Sequence, residues 1–516
     1  MVGITLILGF LPILAVVSAL PTEQGSLLKP KTQSALNDCL KAAAVPAVFQ
    51  SAAGFEELAT PLNTRMQSSI GPAVITLPTT PQHISATVKC ARQFGVKVTP
   101  RGGGHSYNAQ CLGDGAIIVD LQSFHDVVYD PKTQLVRIGG GARLGNVAQK
   151  LYDQGKRAMP MGTCPDVGIG GHANGGAGWT NRLWGLTVDQ TVEVEVVTAD
   201  GKITKANKDF NKDLFWALRG ASASFGIITN FYFKTYAASE SNVVYSYWFK
   251  GLSVDESAAA FNEITNFGEK APKQLGLLIS LSSRKEGIHL YGAYYGKSQK
   301  EFDTLFAPLL KRLPSPDETD VSVKGWVDTL KYAAESESIT VPEIGGTQQR
   351  RAFYAKSLMT EAAAPLRLET MKNLFNYLNT TGQNPAIATE TPWDILILLS
   401  GGRESTSMNK DKLKENSFGR RTALWGFDML STIINLAEKS NKDAINLIAG
   451  LDKAVRRPMD GAYLNSHDPQ LSRAEAHRLY YGPQYQKLTE LKKMWDKDQV
   501  FWYPQSIDPK KYGLLD

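Results

Sequence analysis

The sequence predicts an α+β protein. Three observations lead there. From Ala73 to Ala237 short β-branched runs are separated by helical stretches and glycine turns. After Ala237 the runs alternate between apolar and polar faces. In that second region the order strand, helix, strand, strand, helix is that of a split βαβ unit.

The elements follow in order. An apolar run from Ile4 to Val17 is too short to span a bilayer, and Val17-Ser18-Ala19 offers a small-residue cleavage site. Residues 1–19 therefore predict a secretory signal and a secreted protein, with no membrane anchor expected, although no charged side chain marks the segment's start. Its removal leaves 497 of the 516 residues, enough for two or three domains. SALNDCLKAAA reads as a helix. AVITL (73–77) and KVTP (97–100) read as strands flanking the helix PQHISATVKCARQFG. AIIVDL, LVRIGGGA and VEVEVVTADG add strands, and GARLGNVAQKLYDQG reads as a helix ending at its glycine. Beyond 237, VVYSYWF, LGLLISLS and IHLYGAYYG read as strands, with helices at DESAAAFNEITNF and SQKEFDTLFAPLLKRL. Helices near Trp326–Glu335 and Leu366–Leu378 follow, then strands at WDILILL and TALWGF.

The net charge of +6 (56 basic, 50 acidic residues) is scattered, with no block of five like charges, which argues against a nucleic-acid partner. Asn379-Thr380-Thr381 is an N-glycosylation sequon, the only one.

Two segments carry the chemistry. PRGGGHSY (100–107) holds His105 and GTCPDVGIGGH (162–172) holds Cys164, 59 residues on. Gly102, Gly103 and Gly104 expose backbone N–H groups with no side chain in the way, which suits a loop around a pyrophosphate. The imidazole and the thiol are both nucleophiles. A cofactor that accepts two nucleophiles and carries a pyrophosphate is a flavin dinucleotide. Residues 168–173 also match the dinucleotide pattern GxGxxA, with Asp189 and Glu193 further on. No apolar strand precedes those glycines and 174–178 cannot open a stable helix, so a Rossmann site is not expected.

These segments resemble those of the berberine-bridge-enzyme-like FAD oxidases of the vanillyl-alcohol-oxidase superfamily, and most closely the fungal gluco- and chito-oligosaccharide oxidases. The resemblance extends through DLFWALRGASASFGIITNF (213–231), FYAKSL (353–358) and 480–507. It implies the two-subdomain FAD-binding fold of that superfamily, not a doubly wound sheet, plus an α+β substrate domain whose central antiparallel sheet roofs the flavin. The implied boundaries are 20–237 for FAD binding, 238–459 for substrate and 460–516 for a C-terminal segment returning to the FAD domain. It implies FAD joined twice, at the 8α-methyl by His105 and at C6 by Cys164. Arg101, Gly102–Gly104, Ser106, Val167, Gly170, Gly171, His172 and Ile228 are the further cofactor-binding candidates; no metal is expected. It pairs Cys39 with Cys90, which leaves Cys111 as a buried free thiol.

The resemblance also implies hydride transfer from a substrate C–H to flavin N5 and reoxidation by molecular oxygen, with Val167 as a permissive oxygen gate. A tether raises the flavin's reduction potential. The sugar oxidases take the hydroxyl proton with a tyrosine in a YxNY stretch, assisted by an aspartate before a Gly-Gly pair. Here those positions are Ser466 and Leu398. A serine is far too weakly acidic to replace a phenol. His467 is adjacent, but a strand over 463–468 would turn it to the opposite face from Ser466. Tyr107, two residues after His105, remains the best substrate-side candidate. The leading expectation is thus a secreted FAD-linked oxidase that tailors a secondary metabolite. The alternative is an oligosaccharide oxidase or dehydrogenase with a relocated base, and a third class is a non-catalytic flavin-containing ligand binder.

Overall fold

The computed structural model describes residues 28–68, 71–347 and 349–509. The signal reading at 1–19 lies outside them.

Three larger sheets organise the described residues, besides a two-stranded pair of Arg157–Ala158 with Tyr236–Ala237. The first has four strands in the order Ala47–Phe49, Val74–Thr76, Ile117–Asp120, Val98–Arg101. Its last three strands run parallel. The crossover helix Pro81–Phe94 starts where Thr80 accepts from the His83 N–H and Pro81 presets the first turn, and stops at Gly95 with φ +67°. The helix Pro30–Ala42 packs beside it through buried Leu36 and Leu40. The disulfide Cys39–Cys90 (S–S 2.02 Å) joins the two helices, and Cys111 is a buried free thiol, as expected.

The second sheet is antiparallel, in the order Val127–Asp130, Leu135–Gly139, Ile227–Lys234, Thr191–Val197, Ile203–Asn207. Helix Leu144–Gly155 and the C-terminal helices Arg473–Tyr480 and Gln484–Trp495 share one apolar core with it.

The third sheet has seven antiparallel strands: Glu318–Lys324, Asn242–Phe249, Ile288–Tyr295, Leu275–Ser282, Trp393–Leu399, Ala423–Thr432, Phe353–Glu361. Asn242–Phe249 and Leu275–Ser282 flank Ile288–Tyr295, which is the split βαβ arrangement. One face is covered by helices and holds Trp425, Phe427, Met429, Ile395 and Ile397. Each such fully buried side chain contributes roughly 1.5–3 kcal/mol of transfer free energy. Alternation turns Asp394, Leu396, Leu398 and Asp428 to the opposite face.

The segment 463–468 is not a strand. The Ser466 N–H donates to the Tyr463 carbonyl (3.0 Å), closing a turn, so alternation does not govern His467.

Candidate functional site

The first glycine segment is anchored at its start. The Arg101 guanidinium pairs with Asp120 (2.7 and 2.6 Å) and with the Leu58 carbonyl, so Arg101 fixes the start of the loop. Ser106 donates to Asn108 (2.8 Å) and accepts from the Gln110 N–H (3.2 Å), holding the loop's far end. Gly104 takes φ +73°, a conformation that only glycine adopts cheaply.

The two glycine segments touch backbone to backbone. A Cβ on Gly103 would lie 2.3 Å from the Gly168 nitrogen, and one on Gly168 would lie 2.2 Å from the Gly103 nitrogen. A Cβ on Gly170 would meet the Gly140 carbonyl at 2.6 Å, so the turn after Leu135–Gly139 closes the same junction. Gly171 faces open space. The Arg143 guanidinium, nearly buried, donates to the carbonyls of Gly103 (2.8 Å) and Asp166 (2.7 Å) and ties the two segments together.

This crossing brings the predicted nucleophiles to one cavity of about 880 Å³. Cys164 is an exposed free thiol on its wall. His105 lines the same cavity, with Nε2 3.1 Å from Asp166 Oδ2. Burial raises the Asp166 pKa, but hydrogen bonds from His105 and Thr347 and the Arg143 charge outweigh that and hold it down at about 2. Val167 and Ile228 line the same cavity. His172 also lines it, but its ring is committed to structure. Burial pushes its pKa down to about 4, and the neutral Nε2 accepts the Gly162 N–H (3.1 Å).

The substrate side differs from the sequence reading. Tyr107 Oη donates to Asp428 Oδ2 (3.2 Å), across 321 positions of chain. The second oxygen of Asp428 is buried without a hydrogen-bond partner among the described residues. Burial pushes the Asp428 pKa up to about 6, against the Tyr107 hydrogen bond and the Arg351 charge, which lower it. The charge of Asp428, then burial, raises the Tyr107 pKa well above that of a free phenol. Leu396, 40% exposed, pairs in register with Asp428 and lines the cavity, whereas Leu398 packs in the cluster around Trp179. The cavity-facing position on that strand nearest Asp428 is therefore Leu396, not Leu398.

Ser466 and His467 also line the cavity, both buried. Burial pushes the His467 pKa down to about 4, and its ring packs edge-on to Tyr480 and Tyr503. Tyr463 Oη accepts the N–H groups of Gly176 (2.8 Å) and Ala177 (3.0 Å), pinning the C-terminal turn onto the chain just after the second glycine segment. Asp189 pairs with buried Arg421 (2.7 Å) and Glu193 with Lys205 (2.9 Å), so both acids of the Rossmann-like spacing are occupied elsewhere.

Comparison with known proteins decides the family. A family model described as "FAD binding domain" matches residues 72–207, and one described as "Berberine and berberine like" matches 462–508. The chain is 33% identical to the xylooligosaccharide oxidase of Thermothelomyces thermophilus, over 92% of this chain and 95% of that one. It is likewise 33% identical to the chitooligosaccharide oxidase of Gibberella zeae, over 93% of this chain and 96% of that one. The chain belongs to the berberine-bridge-enzyme-like FAD-linked oxidases.

The glucooligosaccharide oxidase of Acremonium strictum, whose structure carries a 6-S-cysteinyl, 8α-N1-histidyl FAD, superposes on this oxidase with a TM-score of 0.84 at 26% identity, covering 93% of this chain and 100% of that one. This oxidase is an FAD-dependent oxidoreductase of the α+β type found in those structures. Its residues fit the cofactor. Both glycine segments line the cavity of about 880 Å³, a Cβ on Gly171 would meet nothing within 4 Å, and an exposed thiol and an imidazole open onto the same space.

Proposed function

We propose that this oxidase removes a hydride from the anomeric carbon of an oligosaccharide, with Tyr107 and Asp428 as its proton-accepting pair. The observation that carries the reading is the Tyr107–Asp428 hydrogen bond (3.2 Å) on the wall that also holds Cys164. The expectation of a metabolite-tailoring enzyme rested on a missing base. A phenol backed by a carboxylate removes that ground, and the similarity to oligosaccharide oxidases favours a sugar.

Residues 20–237 and 460–516 hold the cofactor in this reading, and 238–459 supply the substrate wall. His105 and Cys164 each form one covalent bond to it. Bound FAD supplies the hydride acceptor and passes two electrons to oxygen, which leaves as hydrogen peroxide. Tyr107 takes the proton of the substrate hydroxyl and gives its own to Asp428 Oδ2, so the hemiacetal leaves as a lactone. Arg351, on the cavity wall, limits the charge build-up at the pair.

A second reading keeps one observation. Leu396, exposed beside Asp428, gives the groove an apolar flank that suits a phenolic or polyketide-like substrate. Anaerobic mixing separates the two. Rapid flavin bleaching by xylo-, cello- or chito-oligosaccharides supports the sugar reading. Bleaching by phenolic compounds alone replaces it with the second. Bleaching by nothing tested leaves a ligand binder.

A further inference from the structure

His105 has two ring nitrogens, and the structure distinguishes them. Nε2 lies 3.1 Å from Asp166 Oδ2, and Nδ1 makes no hydrogen bond among the described residues. Asp166 is itself held from three sides. Its Oδ1 accepts the Thr347 backbone N–H (3.0 Å) and lies 3.6 Å from Arg143 Nη1, while its Oδ2 also accepts the Thr347 hydroxyl (2.8 Å). An ionised carboxylate only accepts hydrogen bonds, so the nitrogen facing it carries the proton. The other nitrogen then keeps its lone pair.

We propose that Asp166 is a positioning residue for cofactor attachment: it fixes His105 as the Nε2–H tautomer and presents Nδ1 as the nucleophile toward the flavin 8α-carbon. The proposal rests on His105 being the attachment point. Attachment forms one Nδ1–C bond and breaks one C–H bond of the 8-methyl group. The electron pair of that C–H passes into the ring system, which ends reduced by two electrons. The methyl proton and the Nε2 proton are released, and molecular oxygen takes up two electrons and two protons as hydrogen peroxide. As Nδ1 gives up its lone pair, positive charge develops on the imidazole, and Asp166 sits where it stabilises that charge.

Asp166→Asn is a sharp test because the surroundings dictate how the amide points. The Thr347 N–H can only donate, so the amide oxygen must stay where Oδ1 is. The amide NH₂ then faces His105 and demands an acceptor at Nε2, which forces the proton onto Nδ1. In a Ser-His-Asp triad the same swap keeps the geometry and enforces the wrong tautomer.

The full-length chain is made without flavin, given FAD in air, and sampled for flavin that survives acid denaturation. In a Cys164→Ala background His105 is the one tether left. Cys164→Ala should become covalently yellow, and Cys164→Ala/Asp166→Asn should attach at least tenfold more slowly while still binding FAD reversibly. If Cys164→Ala itself never retains flavin, the attachment reading fails and the proposal with it. If both proteins attach at the same rate, the proposal alone is overturned. Should the double variant fail to bind FAD, ¹⁵N-histidine spectra of the flavin-free Cys164→Ala protein at pH 8 decide. An unprotonated Nδ1 at His105 supports the proposal, and a protonated Nδ1 overturns it.

Discussion

Asp428 is a carboxylate set into a strand of apolar side chains, between Phe427 and Met429, which face the buried side of the sheet. Its pKa of about 6 lies above the ordinary carboxylate value, so it is protonated below that pH and ionised above it. Only the ionised form can take the Tyr107 proton. Turnover should therefore fall as pH drops through about 6, and a flat kcat between pH 5 and 8 would exclude Asp428 from the relay. Asp428→Asn and Tyr107→Phe should each lower kcat by roughly 10²–10⁴ while leaving flavin content intact. Val167, partly buried on the cavity wall, gives a separate expectation. Val167→Leu should slow reoxidation in air and leave anaerobic reduction by substrate nearly unchanged, as stopped-flow can measure. His105 and Cys164 were legible in the sequence because glycine-rich turns mark them locally. The Tyr107–Asp428 pair was not, because its partners meet across 321 positions and only the sheet register aligns them. A lone acid inside TALWGFDML was the available signal.

At the scale of elements, the crossing of 102–104 with 168–170 sets the site's geometry. Gly168→Ala places a methyl group 2.2 Å from the Gly103 nitrogen, so the segments must part. Overpacking of this kind typically costs about 1–3 kcal/mol. Here it should also cut the fraction of chains that retain flavin after denaturation, because His105 and Cys164 are displaced relative to each other. A fully flavinylated Gly168→Ala protein would show that the contact is dispensable. Most elements were readable from period and caps, including the helix Pro81–Phe94 and the strands of the split βαβ unit. The strand Glu318–Lys324 was not, because it lies on the sheet's edge with a polar, largely exposed pattern. Residues 463–468 form a turn where a strand would have set the direction of His467; the turn carries no glycine or proline to mark it, and tertiary contacts of Tyr463 hold it instead.

Over the whole molecule, the C-terminal segment closes the structure onto its beginning. Lys492 Nζ, fully buried, binds Asp496 (2.6 Å) and the carbonyls of Phe501 (2.9 Å) and Ser224 (2.5 Å), and the Val98 N–H donates to the Val500 carbonyl (2.8 Å). Removing one partner of a buried pair leaves an uncompensated charge, at a cost of roughly 3–5 kcal/mol. Lys492→Ala should therefore lower the unfolding midpoint in urea markedly, and a shift of a few tenths of a kcal/mol would show that Asp496 finds other donors. Local patterning carries no mark of this closure, which joins residues some four hundred positions apart; only the family resemblance implied that 460–516 returns to the FAD domain.

His105 and Cys164 open onto one cavity from loops 59 residues apart in the chain. A rigid ring system bonded to both is a cross-link as well as a cofactor. The unfolded holoprotein would still carry a closed loop between those positions, much as the Cys39–Cys90 bridge closes one of 51 residues. By chain-entropy reasoning a loop near that size is worth about 4 kcal/mol to the folded state. The doubly tethered protein should thus resist denaturant beyond what its contacts explain, refold without added FAD, and lose that surplus when either tether is deleted.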